Sequence, residues 1–158
     1  MRVVGIDPGI HSGAAIVHIT EGEAPRLLDA IDLPVVGVGA KERINVLALR
    51  DWIRAYQPDH VAIERAQAMP RQGASSGFKY GRAVGALEAA IICLEIPVTF
   101  VEPAVWKRKH RLRGKDKEGA RQIALQLFPG AHHLFARRKD HGRAEAALIA
   151  LTGYVQRD

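Results

Sequence analysis

One cysteine stands among 158 residues, and no apolar run reaches the roughly 18 residues that a membrane-spanning helix requires. The first scarcity excludes an intrachain disulfide and a thiolate zinc cluster, and it fits a reducing cytoplasm. The second excludes a transmembrane helix. The chain enters a strand at its start without the pattern of a secretory leader, so a cytoplasmic protein is expected. Repeats, linkers and low-complexity tracts are lacking as well. Residues 1–158 are therefore expected to form one domain, long enough to bury a proper core. Cys93 lies in Ala89-Ala90-Ile91-Ile92-Cys93-Leu94 and reads as a small buried hydrophobe.

Acidic residues are scarce in one region only. Residues 103–143 carry 12 Lys/Arg against 3 Asp/Glu, a balance of +9, whereas the remainder carries 11 against 14. The net charge of +6 is thus concentrated, and such polarity suits a polyanionic partner, of which nucleic acid is the usual one. The basic stretch has no strong aromatic-apolar face, which argues against a membrane-surface helix.

Hydrophobic periodicity predicts strands at 2–7, 12–19, 27–32, 60–64 and 98–101, with valines of strand character within 34–39. It predicts helices at about 41–56, 78–94, 116–127 and 142–155, with a short helical turn near 103–107. Residues 66–77 and 129–139 read as loops. Three strands followed by alternating helices and strands predict an α/β fold with a mixed five-stranded sheet.

Two apolar strands end in an acid. Arg2-Val3-Val4-Gly5-Ile6-Asp7-Pro8-Gly9 closes on a tight turn, and His60-Val61-Ala62-Ile63-Glu64 ends on a glutamate. A carboxylate at the end of a buried strand costs desolvation energy unless a cation or a donor offsets it. A salt bridge from Glu64 to Arg65 is disfavoured, because neighbours along a strand point to opposite faces. A third acid, Glu145, opens the apolar helix Ala146-Ala147-Leu148-Ile149-Ala150-Leu151. His141 lies four residues before Glu145 and shares its helix face if the helix already includes it. Asp140 is one position further round and suits a helix cap; either residue could complete a ligand set, and His141 could serve as a general base. Converging carboxylates suit Mg²⁺ or Mn²⁺, hard ions that prefer oxygen. Two such ions can activate a water and stabilise the leaving oxygen of a phosphodiester.

Four segments together resemble the RuvC-type Holliday junction resolvases: Gly5-Ile6-Asp7-Pro8-Gly9, Val61-Ala62-Ile63-Glu64, Phe78-Lys79-Tyr80-Gly81-Arg82-Ala83-Val84-Gly85 and Ala144-Glu145-Ala146-Ala147-Leu148-Ile149-Ala150. Val101-Glu102-Pro103-Ala104-Val105-Trp106-Lys107 and Lys115-Asp116-Lys117-Glu118-Gly119-Ala120-Arg121 are similar to compact phage and prophage relatives. The resemblance implies a ribonuclease H-like fold, a homodimer, two Mg²⁺ ions and symmetric cutting of four-way DNA junctions into ligatable ends, with no small-molecule cofactor. It maps Asp7, Glu64 and Glu145 onto three catalytic acids. Two positions depart from the pattern. Gly142 stands three residues before the last acid, where a fourth ligand is expected, which leaves that role to His141 or Asp140. Gln67, with Met69 nearby, stands where an aromatic wedge is expected.

Lys107, Arg108, Lys109, Arg111, Arg113, Lys115 and Lys117 are spaced for phosphate contacts, and Arg71, Lys79 and Arg82 extend that track. Trp106 reads as a packing residue. The small residues Gly81, Ala83, Gly85 and Ala86 permit close approach of a second helix across a two-fold axis. The rival readings are a nuclease of branched DNA or RNA–DNA hybrids, a non-catalytic junction-binding protein, and one lobe of an actin-like or sugar-kinase-like ATPase. Only one such lobe fits in 158 residues.

Overall fold

Along β1 (Arg2–Ile6) side chains alternate between two apolar layers, and this alternation organises the molecule. The computed structural model describes residues 1–67, 73–112 and 117–155. Val3 packs in one core cluster with Val17, Ala62, Val101, Ala146 and Leu148; Val4 and Ile6 pack in a second with Ile16, Val61, Ile63, Leu49 and Leu87.

The chain continues through β2 (Gly13–His18), β3 (Arg26–Asp32), a ribbon of β4 (Val35–Val36) and β5 (Arg43–Ile44), α1 (Val46–Tyr56) and β6 (His60–Glu64). It then forms α2 (Ala74–Ile92), β7 (Val98–Val101), α3 (Pro103–Lys109), α4 (Lys117–Leu127) and α5 (His141–Val155). The five-stranded sheet has the order β3-β2-β1-β6-β7. The first three strands pair antiparallel, while β6 pairs parallel to β1 and β7 parallel to β6. The mixed sheet flanked by helices is the expected architecture. Helices α3, α4 and α5 contribute to one core cluster, α1 and α2 to the other.

Helix α5 crosses β1 in close contact. A Cβ on Gly5 would collide with the Ala146 carbonyl, so only glycine permits this approach. Several element boundaries differ from expectation. Helix α1 starts at 46 because the Asn45 side chain accepts the Ala48 N–H at 3.2 Å and caps it. Residues 39–41 form a 3₁₀ turn instead. Helix α2 begins at Ala74, four residues inside the expected loop. The loop expected at 129–139 holds two 3₁₀ turns, Pro129–Phe135 and Arg138–Asp140. Cys93, expected inside, is exposed. Leu87 and Ile91 take the inward stripe of α2, and a position two residues beyond Ile91 falls on the opposite side.

Candidate active site

Strand register brings the first two acids together. Ile6 pairs with Ile63 across the parallel β1–β6 seam, so Asp7 and Glu64 follow each other at the same sheet end. Alternation then fixes their face. Val3 and Ala62, two or four residues earlier on each strand, both belong to the cluster packed on α5. Both carboxyls are thereby aimed toward the helix that carries Glu145.

The Asp7 turn is tightly closed. The Asp7 N–H donates to the Gly13 carbonyl at 3.0 Å, and Leu33 N–H donates to the Ser12 carbonyl at 2.9 Å. Gly9 adopts φ +148°, and a Cβ there would lie 2.8 Å from Ser12 Oγ. Burial raises the Asp7 carboxyl well above its ordinary range; Glu145 and Glu64 add Coulombic repulsion, and a carboxyl–carboxyl hydrogen bond with Glu145 raises it further. The Ser12 hydroxyl acts in the opposite sense.

Burial also raises Glu64, and the Glu145 charge adds to it. The Trp106 indole N–H, 2.6 Å from Glu64 Oε2, and the Lys107 ammonium work against that rise. Tyr80 on α2 feels the same acids. Its phenol is raised by burial, then by the charges of Glu64 and Asp7.

His141 is the first residue of α5 and lies on the Glu145 side of the helix, as the i, i+4 spacing requires. Asp140 serves another purpose. Its buried carboxylate accepts the Arg137 backbone N–H at 2.8 Å and the Arg137 guanidinium at 2.7 Å, with Arg143 3.9 Å away. Burial opposes ionisation there, but these donors outweigh it and hold the carboxyl below its ordinary range. Arg143 grips Asp32 as well, at 2.8 and 2.9 Å, which pins the start of α5 to β3. Asp140 is thus committed to anchoring the helix.

Among the described residues, no three acidic, His or Cys side chains are oriented to enclose an ion as they stand. One oxygen of Glu64, Oε2, accepts the Trp106 indole N–H. The donor chemistry nevertheless fits a hard divalent cation. Asp7 is half-buried, and the charges that act on its carboxyl are those of Glu145 and Glu64, an oxygen-rich and anionic surrounding.

The expected basic track divides. Lys107 lies over the Trp106 ring at 5.3 Å, near Glu64. Lys109 Nζ donates to the Leu151 carbonyl at 2.6 Å and fastens α3 to α5. Arg108 and Arg111 are exposed. Lys79 and Arg82 line a groove of about 320 Å³ with Ile10, Glu42 and Ala86. Arg71, Arg113, Lys115 and Met69, together with the Lys117 side chain, lie outside what is described. Gln67, at the wedge position, donates to Glu102 at 3.0 Å, and Glu102 pairs with Arg65 at 2.6 Å. Sequence reasoning missed Ser12, Tyr80 and the polar role of Trp106. Ser12 left a signal in its place in the turn after Asp7, and Tyr80 in its place within the family-like segment 78–85.

A family model described as "Crossover junction endodeoxyribonuclease RuvC" matches residues 3–152. A protein of that name from Xanthomonas oryzae is 32% identical over 155 residues, covering 96% of this chain and 86% of the relative. The structure of Thermus thermophilus RuvC in complex with a Holliday junction substrate superposes with a TM-score of 0.74 at 26% identity, covering 99% of this chain and 96% of that one. The fowlpox virus Holliday junction resolvase shares the fold, with a TM-score of 0.62 at 16% identity over 99% of both chains. With its acid-tipped parallel strands and a third acid on the helix across them, the chain belongs to the RuvC family of crossover junction endodeoxyribonucleases.

Proposed function

We propose that this protein is a Holliday junction resolvase, a divalent-metal-dependent endonuclease that cuts four-way DNA junctions by symmetric phosphodiester hydrolysis. The observation that carries this reading is the placement of Asp7, Glu64 and Glu145. Two carboxyls end adjacent parallel strands, a third faces them from α5, and each acts electrostatically on another. Family membership supplies the substrate class.

Asp7, Glu64 and Glu145 would hold two Mg²⁺ ions, with Mn²⁺ as a substitute. His141 is the fourth ligand in this reading, since the Asp140 carboxylate is occupied by Arg137 and Arg143. When bound, the ions supply an activated water and charge stabilisation for the leaving oxygen. The chain's own residues do the remainder. Ser12 steadies the Asp7 carboxyl, and Lys107 places positive charge beside Glu64, where a scissile phosphate would arrive. Lys79 and Arg82 on α2, with the exposed Arg108, supply phosphate contacts that carry no sequence information.

A second copy completes the assembly, because two opposed strands must be cut. The outer face of α2 suits that contact. Phe78 is 68% and Ile92 60% exposed, and Gly81, Gly85 and Ala89 lie exposed between them; Ala83, expected among these small residues, is buried, and Ala86 lines the Lys79–Arg82 groove. A Cβ at Gly81 or Gly85 would meet nothing within 4 Å, so a partner helix can approach closely there.

Asp7→Asn tests the division between cutting and gripping. It should abolish junction cleavage while leaving junction affinity largely intact, because Lys79, Arg82 and Arg108 are separate from Asp7. Loss of binding together with cleavage would contradict that division.

A further inference from the structure

Trp106 is 1% exposed, which would suit a packing residue, yet its one polar atom is not spent on the core. The indole Nε1–H donates to Glu64 Oε2 at 2.6 Å across 42 residues of sequence. Indole nitrogen is a donor only and cannot reverse the bond, so its partner must be an acceptor, here the Glu64 carboxyl oxygen. The ring has further neighbours. It packs in the cluster of Val101, Ala147 and Leu148, and the Lys107 ammonium lies 5.3 Å from its centroid. Short α3, which begins with Pro103, presents both residues toward the sheet end where Glu64 projects.

We infer that Trp106 is a positioning residue for Glu64, tethering Oε2 by a fixed neutral donor so that Oε1 alone is presented toward Asp7 and Glu145. The inference rests on the reading of Glu64 as an ion ligand and deepens it. A free glutamate has three rotatable torsions and two equivalent oxygens, and beside two other carboxyls repulsion would swing it away. A buried N–H that occupies one oxygen removes that freedom before any cation arrives. Partners of this kind, behind a metal ligand, commonly change metal affinity by about 10–100-fold. Lys107, next along α3, ties the same tether to the helix whose exposed side contacts DNA in the reading above.

Mn²⁺ binding, followed by the paramagnetic resonance of the free ion, tests this without reference to cleavage. Trp106→Phe keeps an aromatic ring and deletes the donor; it should weaken Mn²⁺ binding about ten-fold or more. Trp106→His, which restores a ring N–H, should recover part of that loss. Equal Mn²⁺ affinity in Trp106→Phe and the unaltered protein overturns the inference and leaves the ligand assignment standing, as does tighter binding by the variant. No Mn²⁺ binding by the unaltered protein overturns the ligand assignment and the inference with it. A second measurement needs no core substitution. The two indole N–H resonances are assigned through Trp52→Phe, since Trp52 bonds Asp29 instead. During a Mg²⁺ titration the Trp106 resonance should shift yet keep its hydrogen-bonded, downfield position. Movement to a solvent-like position at saturation would show the tether released and overturn the inference.

Discussion

Gly13 and Gly142 meet backbone to backbone: a Cβ on Gly13 would lie 2.5 Å from Arg143 N, and one on Gly142 would lie 3.0 Å from Gly13 N. This contact seats the start of α5 on the turn that follows Asp7. It explains why a position expected to carry a ligand carries glycine. A Cβ at 142 would sit 3.0 Å from both Gly13 N and Ser12 C, so the Ser12–Gly13 backbone would have to give way to admit a side chain. Gly142→Asp is therefore expected to destabilise by about 1–3 kcal/mol through overpacking, and to add no metal affinity. Thermal unfolding and Mn²⁺ titration of the variant check both halves.

His141 and Asp140 are separable by experiment. Asp140→Asn removes the buried charge that Arg137 and Arg143 surround. Arg137 is half-exposed, so the expected cost is discounted to about 1–3 kcal/mol. The Asp140 carboxyl is held below its ordinary range, so its stabilisation is present above that range and is lost as pH falls from there through the lowered folded value. The Asn variant should lose that part of the acid dependence. His141→Ala should leave the melting temperature within about 1 °C yet weaken Mn²⁺ binding and cleavage by ten-fold or more. The opposite pattern would make Asp140 the ligand.

Asp7 and Glu64 give the metal-free protein an unusual pH dependence. Both carboxyls are raised in the folded state, so between their ordinary and raised positions the folded chain binds more protons than the unfolded one. Their contribution is therefore present at acid pH and is lost as pH rises through the folded values. Asp7→Asn should raise the melting temperature at neutral pH, by about 2–4 °C for each kcal/mol of repulsion relieved. Divalent ions should stabilise the unaltered protein more than the variant. Calorimetry across pH, with and without Mg²⁺, checks the sign.

Ala89→Glu places a charge on the exposed strip of α2 without touching either core cluster. Analytical ultracentrifugation should show the unaltered protein at twice its 17.3 kDa chain mass and the variant at one chain mass. Junction nicking by the variant should lose its pairing, with single nicks replacing simultaneous cuts. A dimer unaffected by Ala89→Glu would place the interface elsewhere.

The acids at strand ends were legible because an apolar strand that closes on a carboxylate is costly to bury, and alternation even gives the face. Glu145 was legible from its place at the head of an apolar helix. For Asp140 a capping role was among the two readings, but the choice between cap and ligand was not legible. Its partner Arg137 sits in a segment without periodicity, and the capping geometry depends on the Arg138–Asp140 turn. Trp106 read as packing because hydrophobicity predicts burial but not which atom a lone indole N–H will meet 42 residues away. Tyr80 lay in a family-like segment but was given no role, since helix phase alone does not place one phenol against a distant strand end. Cys93 misled because a continuous apolar run conceals which helical side faces out.

Cleavage of a labelled four-way junction, beside a linear duplex and an RNA–DNA hybrid, with Mg²⁺, Mn²⁺ or EDTA, bears most directly on the proposed activity. Paired nicks at symmetric positions on the junction, absent from the other substrates and lost with EDTA, are the expected result. Equal cutting of hybrid or duplex, or tight salt-sensitive junction binding without any cut, would contradict a junction-resolving role.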